Sequence, residues 1–342
     1  MRTEVSYSVA NLPKFKEALL RWAQQFNEVI WLDSNGHKGE YSSFDGLLAA
    51  DALTAMVTDH HNAFEELKTY QEASNDWLFG YLSYDLKNDV EQLSSSNLDG
   101  LGFADIHFFQ PKRIIRIKGE QINFCYLNMV ADEIEEDFKA ITNKIHIEEL
   151  ESPVDTSVHI KLRIFKDDYF KRVEQLLARI YRGDIYEANF CQEFYVEDTS
   201  IDPLRTFQKL NTISKPPFAT FLKLKEVYAL SASPERYIKK HGTNIISQPI
   251  KGTAKRSLDV KEDEQLKLHL EKDQKERAEN IMIVDLVRND LSKSALKGSV
   301  VVKELCKVYS FEQVHQMIST ITATVDKGKN PVDIIKETFP MG

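Results

Sequence analysis

Long apolar runs are missing from this sequence. Nowhere do about eighteen apolar residues stand together, so no membrane-spanning helix is expected. Cysteine is scarce. Cys125, Cys191 and Cys306 lie far apart and make no C-x-x-C pair. That excludes a disulfide framework and suggests reduced, mostly buried thiols in a cytoplasm. The opening residues, MRTEVSYSVANLPKF, carry Glu4 and no apolar core, so no secretory signal is expected there. A basic stripe is also missing. The formal charge is −9, which argues against broad nucleic-acid binding. No G-x-G-x-x-G follows a strand-like run and no Walker A sequence occurs, so nucleotide binding has no support. There is no internal repeat.

What is present is ordinary in bulk. Hydrophobic content of 42% and charged content of 28% are those of a soluble globular protein. The 342 residues are enough for two lobes or one large intertwined core. The run DVKEDEQLKLHLEKDQKER (259–277) mixes both signs and reads as a solvated helix face.

Periodicity predicts helices over 13–26, 132–145, 166–184, 273–291 and 331–339. It predicts strands over 28–34, 77–86, 185–196, 244–250, 298–310 and 313–325, with 77–86 buried. Hairpins are expected over 112–127 and 216–233. The polar, proline-bearing stretch EELESPVDTS (148–157) looks like a connection between lobes. The first lobe would be 1–150 and the second 158–342. Strands come both as hairpins and between helices. The expected class is therefore α+β, with large mixed or antiparallel sheets packed face to face and helices outside.

Five places could carry chemistry. In SQPIKGTAKR (247–256), Lys251 follows an apolar Pro249-Ile250 step. A lysine desolvated there could be a nucleophile or base; equally, it could be a turn lysine in solvent. Gly252 would let a backbone N–H approach a ligand, and Thr253 adds a hydroxyl. In SASPERY (231–237), Glu235 follows a proline at an expected strand end. In apolar company it could act as a general acid; an exposed Pro-Glu turn is the plainer alternative. Glu276 and Glu279 share a helix face and could hold Mg²⁺, or they could pair with Lys275 and Arg277 at the surface. Asp285, Arg288, Asn289 and Asp290 crowd one helix end and read as a structural network. His315, inside VHQMISTI, is either a hydrogen-bonded core residue or a site residue.

These signals occur in one order. GDIYEANFCQEF, PPFATFL, SPERYI, PIKGTAKR, KERAENIMIVDLVRNDL, GSVVV and VHQMISTI resemble the chorismate-utilising enzymes over 160–342. That family includes anthranilate synthase component I, aminodeoxychorismate synthase component I, and the isochorismate and salicylate synthases. GYLSYDL (80–86), Glu91 and DIHFFQP (105–111) resemble the N-terminal portion of the first two. Lysine in P-I-K-G-T, where anthranilate synthases have alanine, resembles the aminodeoxychorismate-forming branch. The water-activating lysine of the isochorismate and salicylate synthases corresponds to Glu187 here, which argues against that route. Most aminotransferring members have glutamine at this place, so Glu187 is a departure.

The resemblance implies an anthranilate synthase component I-like fold. It implies that Lys251 attacks carbon 2 of chorismate while Glu235 protonates the departing 4-hydroxyl. Mg²⁺ on Glu279, with Glu276 beside it, would neutralise the ring carboxylate. Gly252, Thr253 and His315 would line the substrate pocket. Ammonia would come from a glutamine amidotransferase partner, and the product would be 4-amino-4-deoxychorismate, a precursor of para-aminobenzoate and folate. In some relatives the N-terminal portion binds tryptophan, and WLDSN (31–35) lies where one wall of that pocket would be.

The sequence stops at ETFPMG (337–342), where family members continue with a Ser-Ile-Thr-Gly-Ala-Pro-Lys-like loop and a further metal-ligand glutamate. The resemblance therefore implies a portion of a longer protein. A chain truly ending at Gly342 is expected to be unstable and inactive. Two other readings stand beside amination: anthranilate synthase component I, and a non-catalytic binding fragment. The last predicts no rise in melting temperature with chorismate and Mg²⁺.

Overall fold

The computed structural model describes residues 1–146 and 158–341. The connection expected over 148–157 lies outside the described residues. Two compact units form: residues 1–147 with 203–342, and residues 148–202.

The first unit begins with β1 (Arg2–Ser8) and α1 (Leu12–Ala23). Asn11 caps α1, its side chain accepting from the Lys14 N–H at 3.1 Å. Phe15, Leu19 and Trp22 then fall on one buried face. Next come β2 (Glu28–Asp33), β3 (Gly46–Thr58), α2 (Ala63–Ser74), β4 (Phe79–Leu82), α3 (Lys87–Val90), β5 (Ile106–Lys118), β6 (Gln121–Leu127) and α4 (Ile134–Asn143). The second unit holds β7 (Lys161–Leu162), α5 (Lys166–Tyr181) and β8 (Phe194–Tyr195). The chain returns to the first unit with α6 (Pro203–Ser214), β9 (Phe218–Leu224) and β10 (Val227–Ser233). It continues with β11 (Arg236–His241), β12 (Asn244–Gln248), β13 (Ile250–Lys255), α7 (Val260–Lys272) and α8 (Gln274–Ser294). It finishes with β14 (Val301–Ser310), β15 (Val314–Thr324) and α9 (Pro331–Thr338).

The architecture is α+β. One sheet runs β1-β6-β5-β3-β2-β9-β10, with β4 also on β5. The other runs β11-β12-β15-β13, with β14 also on β15. Every pairing in both is antiparallel. β2 pairs with β9 from Glu28↔Leu224 to Asp33↔Ala219, so strands from both sides of the 148–157 stretch share the first sheet. The two sheets face each other across a cavity of about 690 Å³, lined by Phe218 of the first and by Ile238, Gln248 and Ile318 of the second. Ser34, the fourth residue of WLDSN, also lines it.

The outer face of the first sheet buries Trp31, Ile115, Phe124 and Phe221 against Phe15, Leu19 and Trp22 of α1 and Phe207 of α6. Full burial of such side chains stabilises the fold by about 1.5–3 kcal/mol each. The second sheet packs Ile245 and Ile321 against Val284 and Leu291 of α8 and Ile334 of α9.

Two expectations need correction. Of 185–196, only Phe194–Tyr195 is a strand. A β-rich run becomes a strand only where a partner offers ladder bonds, and its one partner here, β7, has two residues. Of 77–86, only Phe79–Leu82 is extended, and Phe79 alone of these is buried; Tyr84–Leu86 turn as a 3-10 helix. Cys125 and Cys306 are buried and Cys191 is exposed; all three are free. Among the described residues no helix is long and apolar enough to cross a membrane.

Candidate active site

SQPIKGTAKR spans the crossing from β12 to β13. Pro249 interrupts the two strands, and its carbonyl accepts from the Ser319 N–H of β15 at 3.2 Å. Regular pairing of β13 with β15 then slips. Ile250 faces Ile318 and Thr253 faces Gln316, so Lys251 and Gly252 together oppose Met317. This is a β-bulge, a device that re-aims side chains. Gly252 sits at φ +96°, a backbone conformation that side-chain-bearing residues rarely adopt. Lys251 is half-buried.

Glu235 stands beside this bulge. Its turn is fixed by Ser233, whose hydroxyl accepts from the Glu235 N–H at 3.1 Å. Its Oε1 accepts from the Ile250 N–H at 3.0 Å. The side chain opens into a cavity of about 260 Å³, shared with Arg236, Tyr237, Asp290 and Thr338. Glu235 is exposed to solvent there, with protein packed against part of its side chain. Loss of hydration raises its pKa; the Ile250 N–H and the charge of Lys251 act against that rise. An acid and an amine are thus close enough to feel each other.

The carboxylates come from α8. Asp273 caps this helix, accepting from the Glu276 N–H at 3.0 Å. Glu276 then lies against the bulge: a Cβ added to Gly252 would meet Glu276 Cβ and Oε2 at 3.2 Å. Glu279 lies 3.5 Å from Lys275 in a partly exposed pair. Glu276 and Glu279 fit Mg²⁺ by donor type, since that ion takes one or two carboxylates and completes its shell with water and substrate oxygens. Among the described residues no group of three or more His, Cys, Asp or Glu side chains is arranged to hold a metal. Buried Asn280 follows, bonded to the carbonyls of Lys251 and Met317.

His315 is bound on both ring nitrogens. Ser310 Oγ is 2.8 Å from Nδ1 and Asp263 Oδ1 is 3.0 Å from Nε2. Asp263 also accepts from Arg256 Nε and from the Ser257 N–H. The Arg256 guanidinium, then the Ser257 N–H and His315, hold its carboxyl well below the usual aspartate range. His315 is 1% exposed. It pairs in register with Ala254, whereas Thr253 pairs with Gln316. Strand alternation therefore sets Thr253 and His315 on opposite faces of the sheet. The structure brings Glu235, Lys251, Gly252 and Glu276 together; it does not bring the His315 ring to the face of Thr253.

Arg288 pairs with Asp285 at 2.9 Å, both exposed, and Lys293 pairs with Asp290 at 2.9 Å. Glu187 lies in the second unit outside any helix or strand. Sequence reasoning missed Asp263 and Asn280. Asp263 sat in a mixed-charge run with no spacing signal, and Asn280 was one polar residue among several on α8.

A family model described as chorismate binding enzyme matches residues 27–342. Aminodeoxychorismate synthase component 1 of Salmonella typhimurium is 39% identical over 175 residues, covering 51% of this chain and 38% of that protein. Anthranilate synthase component 1 of Bacillus subtilis is 33% identical over 245 residues, covering 70% of this chain and 47% of that protein. The chain thus spans less than half the length of these relatives. In three dimensions it resembles anthranilate synthase component I from Streptococcus pneumoniae, with a TM-score of 0.73 at 20% identity, over 89% of this chain and 76% of that one.

Proposed function

The chain belongs to the chorismate-binding enzymes, and from that premise we propose that it aminates chorismate through a covalent adduct on Lys251. The observation that carries this reading is the bond from the Ile250 N–H to Glu235, which sets a carboxyl group beside the residue preceding Lys251. Partial loss of hydration raises the Glu235 pKa, and the Ile250 N–H and then the Lys251 charge oppose that rise.

Lys251 passes its proton to the Glu235 carboxylate, and the freed amine forms a bond to carbon 2 of chorismate. The ring double bond shifts and the carbon 4–oxygen bond breaks. Glu235 gives its proton to the departing hydroxyl, which leaves as water. Ammonia then bonds to carbon 4, the double bond shifts back, and the lysine leaves carbon 2 as an amine. Glu235 takes up the proton that ammonia releases. The product, 4-amino-4-deoxychorismate, keeps its enolpyruvyl group. Two allylic displacements replace one difficult substitution.

Glu276 and Glu279 are the residues that would hold Mg²⁺, which when bound supplies positive charge for a substrate carboxylate. Gly252 keeps the bulge open beside Glu276, and Thr253 offers a hydroxyl donor. In this reading His315 supports the site from beneath, oriented by Asp263. The ammonia source is a glutamine amidotransferase subunit and the setting is cytoplasmic.

Intact-protein mass spectrometry with chorismate and no ammonia is the test. An adduct on the wild type, absent in Lys251→Ala, is expected. Full activity of Lys251→Ala with free ammonia sinks the lysine mechanism. Chromatography separates the products: anthranilate with pyruvate would assign the chain to the anthranilate-forming branch instead.

A further inference from the structure

We propose that Asn280 is the positioning residue that holds the Lys251 bulge in its working shape, an inference that rests on the amination reading above. Where Lys251 and Gly252 oppose Met317, the ladder between β13 and β15 is interrupted. An interrupted ladder leaves the local backbone able to re-aim its side chains. The amide of Asn280 spans this interruption. Its Nδ2 donates to Met317 O at 3.1 Å and to Lys251 O at 3.3 Å. Both of its N–H groups are therefore used.

The other end of the amide is equally engaged. Oδ1 accepts from the Ser319 hydroxyl and from the Cys306 thiol. The Ser319 hydroxyl accepts in turn from the Cys306 N–H at 2.9 Å. Asn280 is 1% exposed and Ser319 is fully buried, so water cannot replace these bonds. A flipped amide would set Oδ1 against two carbonyl oxygens, which fixes its orientation.

Asn280 also follows Glu279 and lies one turn beyond Glu276 on α8. One side chain thus joins the helix that carries both carboxylates to the strand that carries the amine. It touches backbone and not substrate, so it acts through Lys251. A displacement of the reacting amine by about 1 Å costs about 100-fold in rate.

The test uses the full chain with chorismate, Mg²⁺ and ammonium chloride. Asn280→Asp keeps the shape but replaces both donors with an acceptor. Asn280→Ser removes the amide without burying a charge. In both, adduct formation on Lys251 without ammonia and kcat with it should fall about 100-fold, while KM for chorismate holds. Asp76→Asn, which weakens the 2.8 Å ion pair with Arg2 in the first sheet, is the stability control. It should lower the melting temperature and leave both rates unchanged. Wild-type rates in the Asn280 variants would overturn the proposal. So would an equal loss of rate in the control at matched melting temperature. Absence of any adduct or product in the wild type would overturn the parent reading, and this inference with it, and is read separately.

Discussion

The backbone N–H of Ile250 donates to Oε1 of Glu235 across 3.0 Å. One bond therefore ties the acid to the residue preceding the lysine. Glutamine can accept the same bond but cannot protonate a leaving hydroxyl. Glu235→Gln should keep the fold and lose about 100- to 10,000-fold in kcat with chorismate and ammonium. Steady-state product formation checks it, and a loss under tenfold would remove Glu235 from the acid role.

The same residue makes a pH prediction. Although Glu235 is exposed, partial loss of hydration raises its pKa above that of an ordinary glutamate. The folded state then holds its proton at pH values where the unfolded chain has lost it. This contribution is full below the unfolded pKa and is lost as pH rises through the folded one. Glu235→Gln removes that loss. Denaturant melts at stepped pH should show the wild type falling more steeply than the variant just above the ordinary glutamate range. Parallel curves would contradict the raised pKa.

Asp263 gives the opposite sign. Arg256 and its neighbours hold its carboxyl below the usual range. Its contribution is present above the unfolded pKa and lost as pH falls through the folded one. Asp263→Asn should therefore flatten the acid limb of the melting-temperature profile. It should also disturb the His315 tautomer, which imidazole nitrogen chemical shifts would report. An unchanged acid limb would show that the triple hydrogen bonding carries no linkage.

Much of this could be read in the sequence, for a physical reason. The runs 244–250 and 313–325 are rich in branched apolar residues, and the structure has strands over Asn244–Gln248 and Val314–Thr324. The hairpin 112–127 showed its Gly119 turn, which takes φ +59°. By contrast GLLAADALTAMVT, the 13-residue β3 at the centre of the first sheet, has few branched residues and no alternation. Its pairing with β2 and β5 decides it, not propensity. The site divides in the same way. Glu235, Lys251, Gly252 and Glu276 each sit in a local motif. The bonds from Asn280 to Met317 and from Asp263 to His315 depend on where helices land on a strand. No local pattern encodes that.

Glu276 supplies a metal prediction that does not depend on turnover. A ligand that binds the folded state raises the melting temperature by mass action. Mg²⁺ with chorismate should therefore raise that of the wild type, and Glu276→Gln should need about 10- to 100-fold more Mg²⁺ for the same rise. Equal titration curves would remove Glu276 from the ion's shell.

Gly252→Ala tests the bulge itself. The added Cβ meets three neighbours at once: Glu276 Cβ and Oε2 at 3.2 Å and Met317 Cβ at 3.3 Å. Each contact is tight but yields to a shift of a few tenths of an ångström. The backbone cannot yield as easily, because φ +96° is unfavourable for alanine. The strain should cost about 1–3 kcal/mol in denaturant melts. Relief by backbone rotation would turn the Lys251 carbonyl away from Asn280, and relief by side-chain movement would push Glu276 off the bulge. Both routes disturb the neighbourhood of Lys251 and Glu276. The variant should therefore lose more activity than its stability loss explains. A variant that is destabilised yet fully active when folded would show that neither the lysine nor the carboxylate depends on this glycine.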